Sequence, residues 1–277
     1  MVKALHRARE AYERREWLTA YKTLSDLDNT ALTATDFITL ADSAELLGHS
    51  NDAIQALQRA HHSALDAAEP LIAARAAARL AMILAFRGET AVAAGWIAGG
   101  ERLLNELDRD VAERGYLLIG RMFERIGVGD IEGAAPLPPR LIECCRHHGD
   151  ANLLAMGLNQ QGRVLTVFGQ IVEGVRFLDE AMTGVVSGEV DEPLIAGEVY
   201  CSMIEACQWI GDWGRAAQWT RALTTWCDEQ FGLVAFTGQC AVHRAQLMRF
   251  NGAFRDAVDE LERAVERYRA AGNDDAV

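Results

Sequence analysis

A glycine recurs along this sequence with a period that an ordinary globular chain does not keep. Gly48, Gly88, Gly129, Gly169, Gly211 and Gly252 follow one another at intervals of 40, 41, 40, 42 and 41 residues. Each has a small residue five positions later: Ala53, Ala93, Ala134, Gly174, Ala216 and Ala257. The stretch 198–226 shows what the glycine does. Val199, Tyr200, Met203, Ile204 and Cys207 keep helical spacing before it, and Trp213, Ala216, Ala217, Thr220 and Leu223 resume that spacing after it. Apolar residues at intervals of three and four mark an amphipathic helix, and Gly211-Asp212 reads as the C-cap of one helix running into the N-cap of the next. The unit is a helical hairpin. One hairpin cannot bury its own apolar face, so the period implies a stack of them.

The expected fold is therefore all-α: a right-handed superhelical solenoid of about seven antiparallel hairpins forming one repeat domain over 1–277. The hairpins fall at about 2–28, 34–67, 70–107, 109–149, 150–187, 192–229 and 233–272. In the first, Trp17 and Ala20 are in phase, but Arg15 stands where the glycine would be. In the second, Phe37, Leu40, Ala41, Ala44, Gly48, Ala53, Leu57 and Ala60 fill the apolar and small positions of the tetratricopeptide pattern, with Thr35 or Asp36 able to cap its first helix. Pro70 and Pro193 stand at helix starts, where a missing amide costs nothing.

Four places depart from regularity. Gly95, Gly99 and Gly100 weaken one helix by about 1 kcal/mol each relative to Ala, which suits close helix packing, a hinge or the approach of a ligand. Pro136, Pro138 and Pro139 should break or extend the second half of hairpin four, with helix resuming near Arg140. The loop SGEVDEP (187–193) reads as acidic and solvent-facing. The sequence ends in RYRAAGNDDAV with no polar capping helix, so the end face of hairpin seven is expected to meet a continuation of the chain or another subunit.

Composition narrows the function. Half of the residues are hydrophobic and only five are proline, and the formal net charge is −13. An acidic chain of this kind is not expected to touch nucleic acid directly, since that needs a basic face. Neither a membrane span nor a secretion signal is legible, so a cytoplasmic location is expected. The six cysteines contain no CxxC pair and read as core thiols rather than a disulfide framework. No GxSxG, GxxxxGK[ST], HExxH or strand-linked GxGxxG occurs, and carboxylate pairs such as Asp179/Glu180 sit side by side on helix faces. The chain reads as a non-enzyme with no cofactor.

Between residues 192 and 268, GEVYCSMIEACQWIGDWGRAAQWTRALTTWCDEQ and FTGQCAVHRAQLMRFNGAFRDAVDELERA resemble the helical-repeat region of large actinobacterial LuxR-type transcriptional regulators. GGERLL (99–104), ERGYLL (113–118), GDIEGAA (129–135) and QGRVLTVFGQIVEGVRFLDEAM (161–182) continue the likeness. The resemblance implies a sensor of an effector or partner, placed before a C-terminal helix-turn-helix domain. A motif of the type LTxRExEVL, which marks that domain, is not in this sequence, and the proline break replaces a plain alanine-rich helix.

First helices of successive tetratricopeptide hairpins line a concave face. Counting from each glycine, that face should carry Arg75, Met82, Phe86, Tyr116, Phe123, Met156, Asn159, Arg163, Cys201, Glu205, Trp209, Gln246, Arg249 and Phe250. Such a mixture suits a small apolar molecule or a peptide, with Asn159 and Arg163, one turn apart, placed to grip a carboxylate. A ligand bridging hairpins three to six would tighten the superhelix. A rival reading is a constitutive protein–protein adaptor without a small ligand. The cluster Cys144-Cys145-x-His147-His148 has metal-ligand chemistry but no spaced second pair, so it reads as a helix end with capping histidines. His61 and His62 read as solvated surface, and His243 as facing either groove or core.

Overall fold

The structure is a computed structural model that describes residues 2–107, 109–230 and 233–270. Among them there is no β-strand. The chain runs through α1 (Val2–Glu13) and α2 (Trp17–Ser25), a short 3-10 turn, α3 (Ala34–Leu46) and α4 (Ser50–Asp66), and α5 (Pro70–Phe86) and α6 (Thr90–Asn105). It continues with α7 (Glu113–Gly127), α8 (Ile131–Ala134) and α9 (Leu137–His148), then α10 (Ala151–Val167) and α11 (Ile171–Val186). The last hairpins are α12 (Pro193–Trp209) with α13 (Trp213–Glu229), and α14 (Ala235–Phe250) with α15 (Phe254–Ala270). This is a tetratricopeptide-like helical-repeat fold.

The six periodic glycines do what the sequence asks of them. All sit in the left-handed region with φ between 78 and 82°, between the two helices of a hairpin. Side chains are disfavoured there because Cβ crowds the next carbonyl. In hairpin one Arg15 takes the same conformation at φ 60°, as its register demands. The turns at Gly129 and Gly211 add a side-chain cap, as does the turn between α9 and α10. Asp130, Asp150 and Asp212 accept from the backbone N–H of Gly133, Leu153 and Arg215 at 2.9 to 3.0 Å. Ahead of α3 the capping residue is Thr33, which accepts from the Asp36 N–H at 3.3 Å, and not Thr35 or Asp36.

The proline cluster interrupts hairpin four less than expected. Helix α9 starts at Leu137, three residues before Arg140, with Pro138 and Pro139 inside its first turn. Amides in a first turn have no intrahelical acceptor, so proline removes nothing there. The interruption is confined to Ala135 and Pro136, between the four-residue α8 and α9.

The chain divides into two compact units. Unit one holds the residues up to Ala31, Thr39–Ala53 and the chain from Ala196 onward; unit two holds Leu32–Ile38 and Ile54–Ile195. In unit one the Tyr200 ring lies 6.4 Å from that of Trp219 and 5.9 Å from that of Trp226, which joins α12 to α13. Val234 N–H donates to the Leu46 carbonyl at 2.9 Å and Arg15 Nη1 to Gln230 Oε1 at 3.3 Å, so early and late segments meet within this unit. On α15, Phe254, Val258 and Leu261 are exposed at helical spacing.

In unit two, α5 packs on α6 and α7, α7 on α9, and α10 on α9 and α11. The α10–α11 approach is the tightest kind. A Cβ on Gly162 would stand 2.7 Å from the Gly174 carbonyl oxygen, and one on Gly174 equally close to the Gly162 oxygen. Of the three α6 glycines only Gly100 is packed, against Leu117 and Ala77; Gly95 has nothing within 4 Å and Gly99 only the tip of Arg102.

Candidate functional site

In unit two the first helices of hairpins three, four and five carry a polar cluster at their N-terminal ends. Arg75 on α5 lies over the face of Tyr116 on α7, its guanidinium carbon 4.3 Å from the ring centre. Its Nη2 reaches Glu192 Oε1 at 2.6 Å. The Tyr116 hydroxyl points at the same Glu192 oxygen (3.4 Å) and at Asp150 Oδ2 (3.5 Å), both long contacts. Burial, and then the charge of Glu192, push the Tyr116 phenol well above its ordinary range, with Arg75 opposing.

Glu192 is held there by Asn152. The Asn152 amide donates to Asp191 Oδ1 at 2.7 Å, and its oxygen accepts from the N–H groups of Asp191 (3.1 Å) and Glu192 (3.2 Å). Val190 is buried, and its N–H donates to the Gly184 carbonyl at 3.1 Å. The 187–193 loop is thus pinned to its unit rather than wholly solvent-facing, because an apolar residue alternates with its acids. Three carboxylates thus belong to the cluster: Glu192 on the Arg75 guanidinium, Asp150 facing the Tyr116 hydroxyl and Asp191 on the Asn152 amide.

The opposite ends of α5 and α7 carry an apolar pair. Phe86 is 65% exposed, and its ring leans on Phe123, 4.8 Å away at 47°. Phe123 is itself buried. Eleven residues separate Arg75 from Phe86 on α5, about 16 Å along the axis at 1.5 Å per residue.

The other expected groove residues divide by depth. Met156 and Asn159 are fully buried, and Asn159 Oδ1 accepts from Gln160 Nε2 at 3.4 Å. Asn159 therefore does not join half-buried Arg163 in an open carboxylate grip. The reason is that α10 packs on α7, α9 and α11, with Gly157 so close to α9 that a Cβ would meet Ile142 at 3.0 Å. In unit one Glu205 is half-buried, Cys201 is buried, and Trp209 and Arg249 are exposed. Phe250 stacks on Trp213 with ring centres 4.4 Å apart.

One histidine, His61, departs from expectation, and His243 takes the core side of its two readings. His61 is buried, with Nδ1 2.9 Å from the Ala73 carbonyl oxygen and its ring edge-on to Trp96; His62 alone faces solvent. His243 is 1% exposed, and neither ring nitrogen has a hydrogen-bond partner. Burial lowers its pKa to about 4, with Gln246 opposing.

The cysteine–histidine cluster also splits. Cys145 is core, its thiol pushed up to about 12 by burial. Cys144 and His147 instead border a cavity of about 600 Å³ together with Glu101, Asp110, Arg114, Arg140 and Glu143. Asp110 brings a third donor within 4.8 Å of those of His147 and His148. Nothing local in the sequence marks Asp110, since it comes from the linker between α6 and α7.

No protein-family model and no characterised protein matches this sequence. Among solved structures it is similar to a Rap protein complexed with competence and sporulation factor, with a TM-score of 0.69, 8% identity, and coverage of 97% of this chain and 74% of that one. It is also similar to BtubC (BKLC) from P. vanneervenii, with a TM-score of 0.56, 14% identity, and coverage of 83% and 91%. At these identities the likeness is one of fold. Among the described residues no helix is long and apolar enough to cross a membrane.

Proposed function

We propose that this chain is a non-enzymatic sensing module that takes a peptide or a small apolar molecule along the first helices of its hairpins, as the likeness to LuxR-type regulators implies. One observation carries the reading: exposed Phe86 on Phe123 at one end of α5 and α7, and an acid-rich cluster around Arg75 and Tyr116 at the other. A ligand with an apolar group and a cationic group about 16 Å apart would meet both. The Rap structure, solved as a complex with competence and sporulation factor, supports this use of the fold. The net charge of −13 argues against direct contact with nucleic acid. The test is a randomised ten-residue peptide display library panned on the purified chain. The expected result is a consensus pairing an apolar with a basic residue, lost in Phe86→Ser and in Glu192→Gln while melting temperatures hold. No enrichment, or enrichment indifferent to both substitutions, overturns the reading.

A second reading, a constitutive adaptor, is favoured by the exposed Phe254, Val258 and Leu261 stripe on α15. It predicts self-association or a partner subunit on that face. Light scattering after size exclusion, compared with a Val258→Asp variant, separates the two.

A further inference from the structure

We propose that Asp110, His147 and His148 form a binding site for a divalent transition-metal ion, zinc foremost, that ties the start of hairpin four to its end. The three donor atoms all lie within 4.8 Å of one another. The ring nitrogen of His148, Nε2, is buried from solvent and makes no hydrogen bond, although Asp110 Oδ2 stands only 3.4 Å away. That spacing suits two ligands of one ion. Donors about 2.0–2.1 Å from a tetrahedral zinc are separated from each other by about 3.4 Å. His147 is exposed at the end of α9, next to His148 with its ring at 82°. A rotation of its side chain moves the third donor inward without disturbing packed groups. Two imidazoles and one carboxylate are the ligands of an open zinc site, and nickel, cobalt and copper compete for such donors.

The surroundings are mixed in charge. Arg114 Nε lies 3.8 Å from Asp110 Oδ1 and weakens the site, but the guanidinium is occupied by the Leu104 carbonyl and Asn105. Glu101 and Glu143 border the same cavity and offset Arg114 and Arg140. The cavity leaves room for a water or an outside ligand at the fourth position.

Asp110 stands in the linker before α7, whereas His147 and His148 end α9 just ahead of the left-handed Gly149. An ion there would brace the one hairpin whose second half is interrupted. The test uses the full chain stripped with EDTA and titrated with cobalt(II) chloride, with zinc chloride as competitor. One equivalent of cobalt should give the visible absorption of a four-coordinate ion and be displaced by zinc. Zinc should raise the melting temperature, because binding to the folded state alone stabilises it. In Asp110→Asn and His148→Gln, affinity should fall at least tenfold with the metal-free melting temperature unchanged, while His62→Gln behaves as the parent. No saturable absorption, or a titration unaltered in both variants, overturns the proposal. So does a thiolate charge-transfer band that survives them, which would put the ion on cysteine.

Discussion

The guanidinium carbon of Arg75 lies 4.3 Å from the centre of the Tyr116 ring, and the same group reaches Glu192 Oε1 at 2.6 Å. One side chain therefore links the first helices of hairpins three and four to the loop that precedes α12. Stacking of the half-exposed guanidinium on the buried Tyr116 ring is worth about 0.5–2 kcal/mol, and a half-exposed ion pair up to about 1 kcal/mol. Arg75→Ala should cost about 1–2 kcal/mol in urea denaturation. Arg75→Lys should recover less than half of that, since an ammonium keeps the charge but not the planar stack. A double-mutant cycle with Glu192→Gln should give a coupling of about 0.5–1 kcal/mol; a coupling near zero would mean that Asn152 and Val190 hold the loop without Arg75.

Gly162 and Gly174 make the opposite prediction to Gly95. Alanine at either of the first two drives a Cβ to 2.7 Å from a backbone oxygen, and a backbone cannot swing aside as a side chain can. Each substitution should cost about 1–3 kcal/mol despite alanine's better helix propensity. Gly95→Ala meets nothing within 4 Å and should stabilise by about 1 kcal/mol. Thermal melts of the three single variants decide this. A destabilised Gly95→Ala would point to a bend in α6 that needs the glycine.

Ala68 takes a left-handed φ of 57° between α4 and α5, a conformation that glycine holds at the other such turns apart from Arg15. The conformation costs a non-glycine residue about 1–2 kcal/mol, against which glycine loses about 0.4–1 kcal/mol through its freer unfolded chain. Ala68→Gly should therefore stabilise by about 0.5–1 kcal/mol, read as a shift of the urea midpoint at constant slope.

The turns were the legible part of this fold. Gly48 to Gly252 mark every hairpin from the second onward because a left-handed residue leaves a compositional trace, and the phase even located Arg15. Depth left no such trace. Met156 and Asn159 lie on the helix face the register indicates, but α10 packs on α7, α9 and α11, and a helix with neighbours on several sides hides more than one face. His61 and His62 are adjacent and so point apart; nothing in the pair says which one meets Trp96. Asp110 could not be paired with His147 and His148 by spacing, since the linker that carries it has no periodicity to extend. The prolines misled by density alone, because two of them in a first turn and one at the N-cap interrupt less than one in a helix interior.

His243 on α14 sets an acid limit to stability. Its ring is buried without a hydrogen-bond partner, and its pKa is lowered from 6.5 to about 4. In the unfolded chain the imidazole protonates near its ordinary value; in the folded chain it resists until the pH is far lower. A base with a depressed folded pKa contributes stability that is present above the unfolded pKa and is lost as pH falls through the folded one. The window here runs from 6.5 down to about 4, and the full loss is about 3 kcal/mol at 1.36 kcal/mol per unit. Titrating carboxylates add their own slope, so the informative quantity is the difference from His243→Leu, which leaves them in place. Urea unfolding of both proteins between about pH 7.5 and 4 should show the variant at least as stable at neutral pH, because two unpaired ring nitrogens are gone. Its lead should widen steadily through the acid window. Parallel curves would mean that His243 finds a proton acceptor on acidification, with Gln246 the nearest group able to serve.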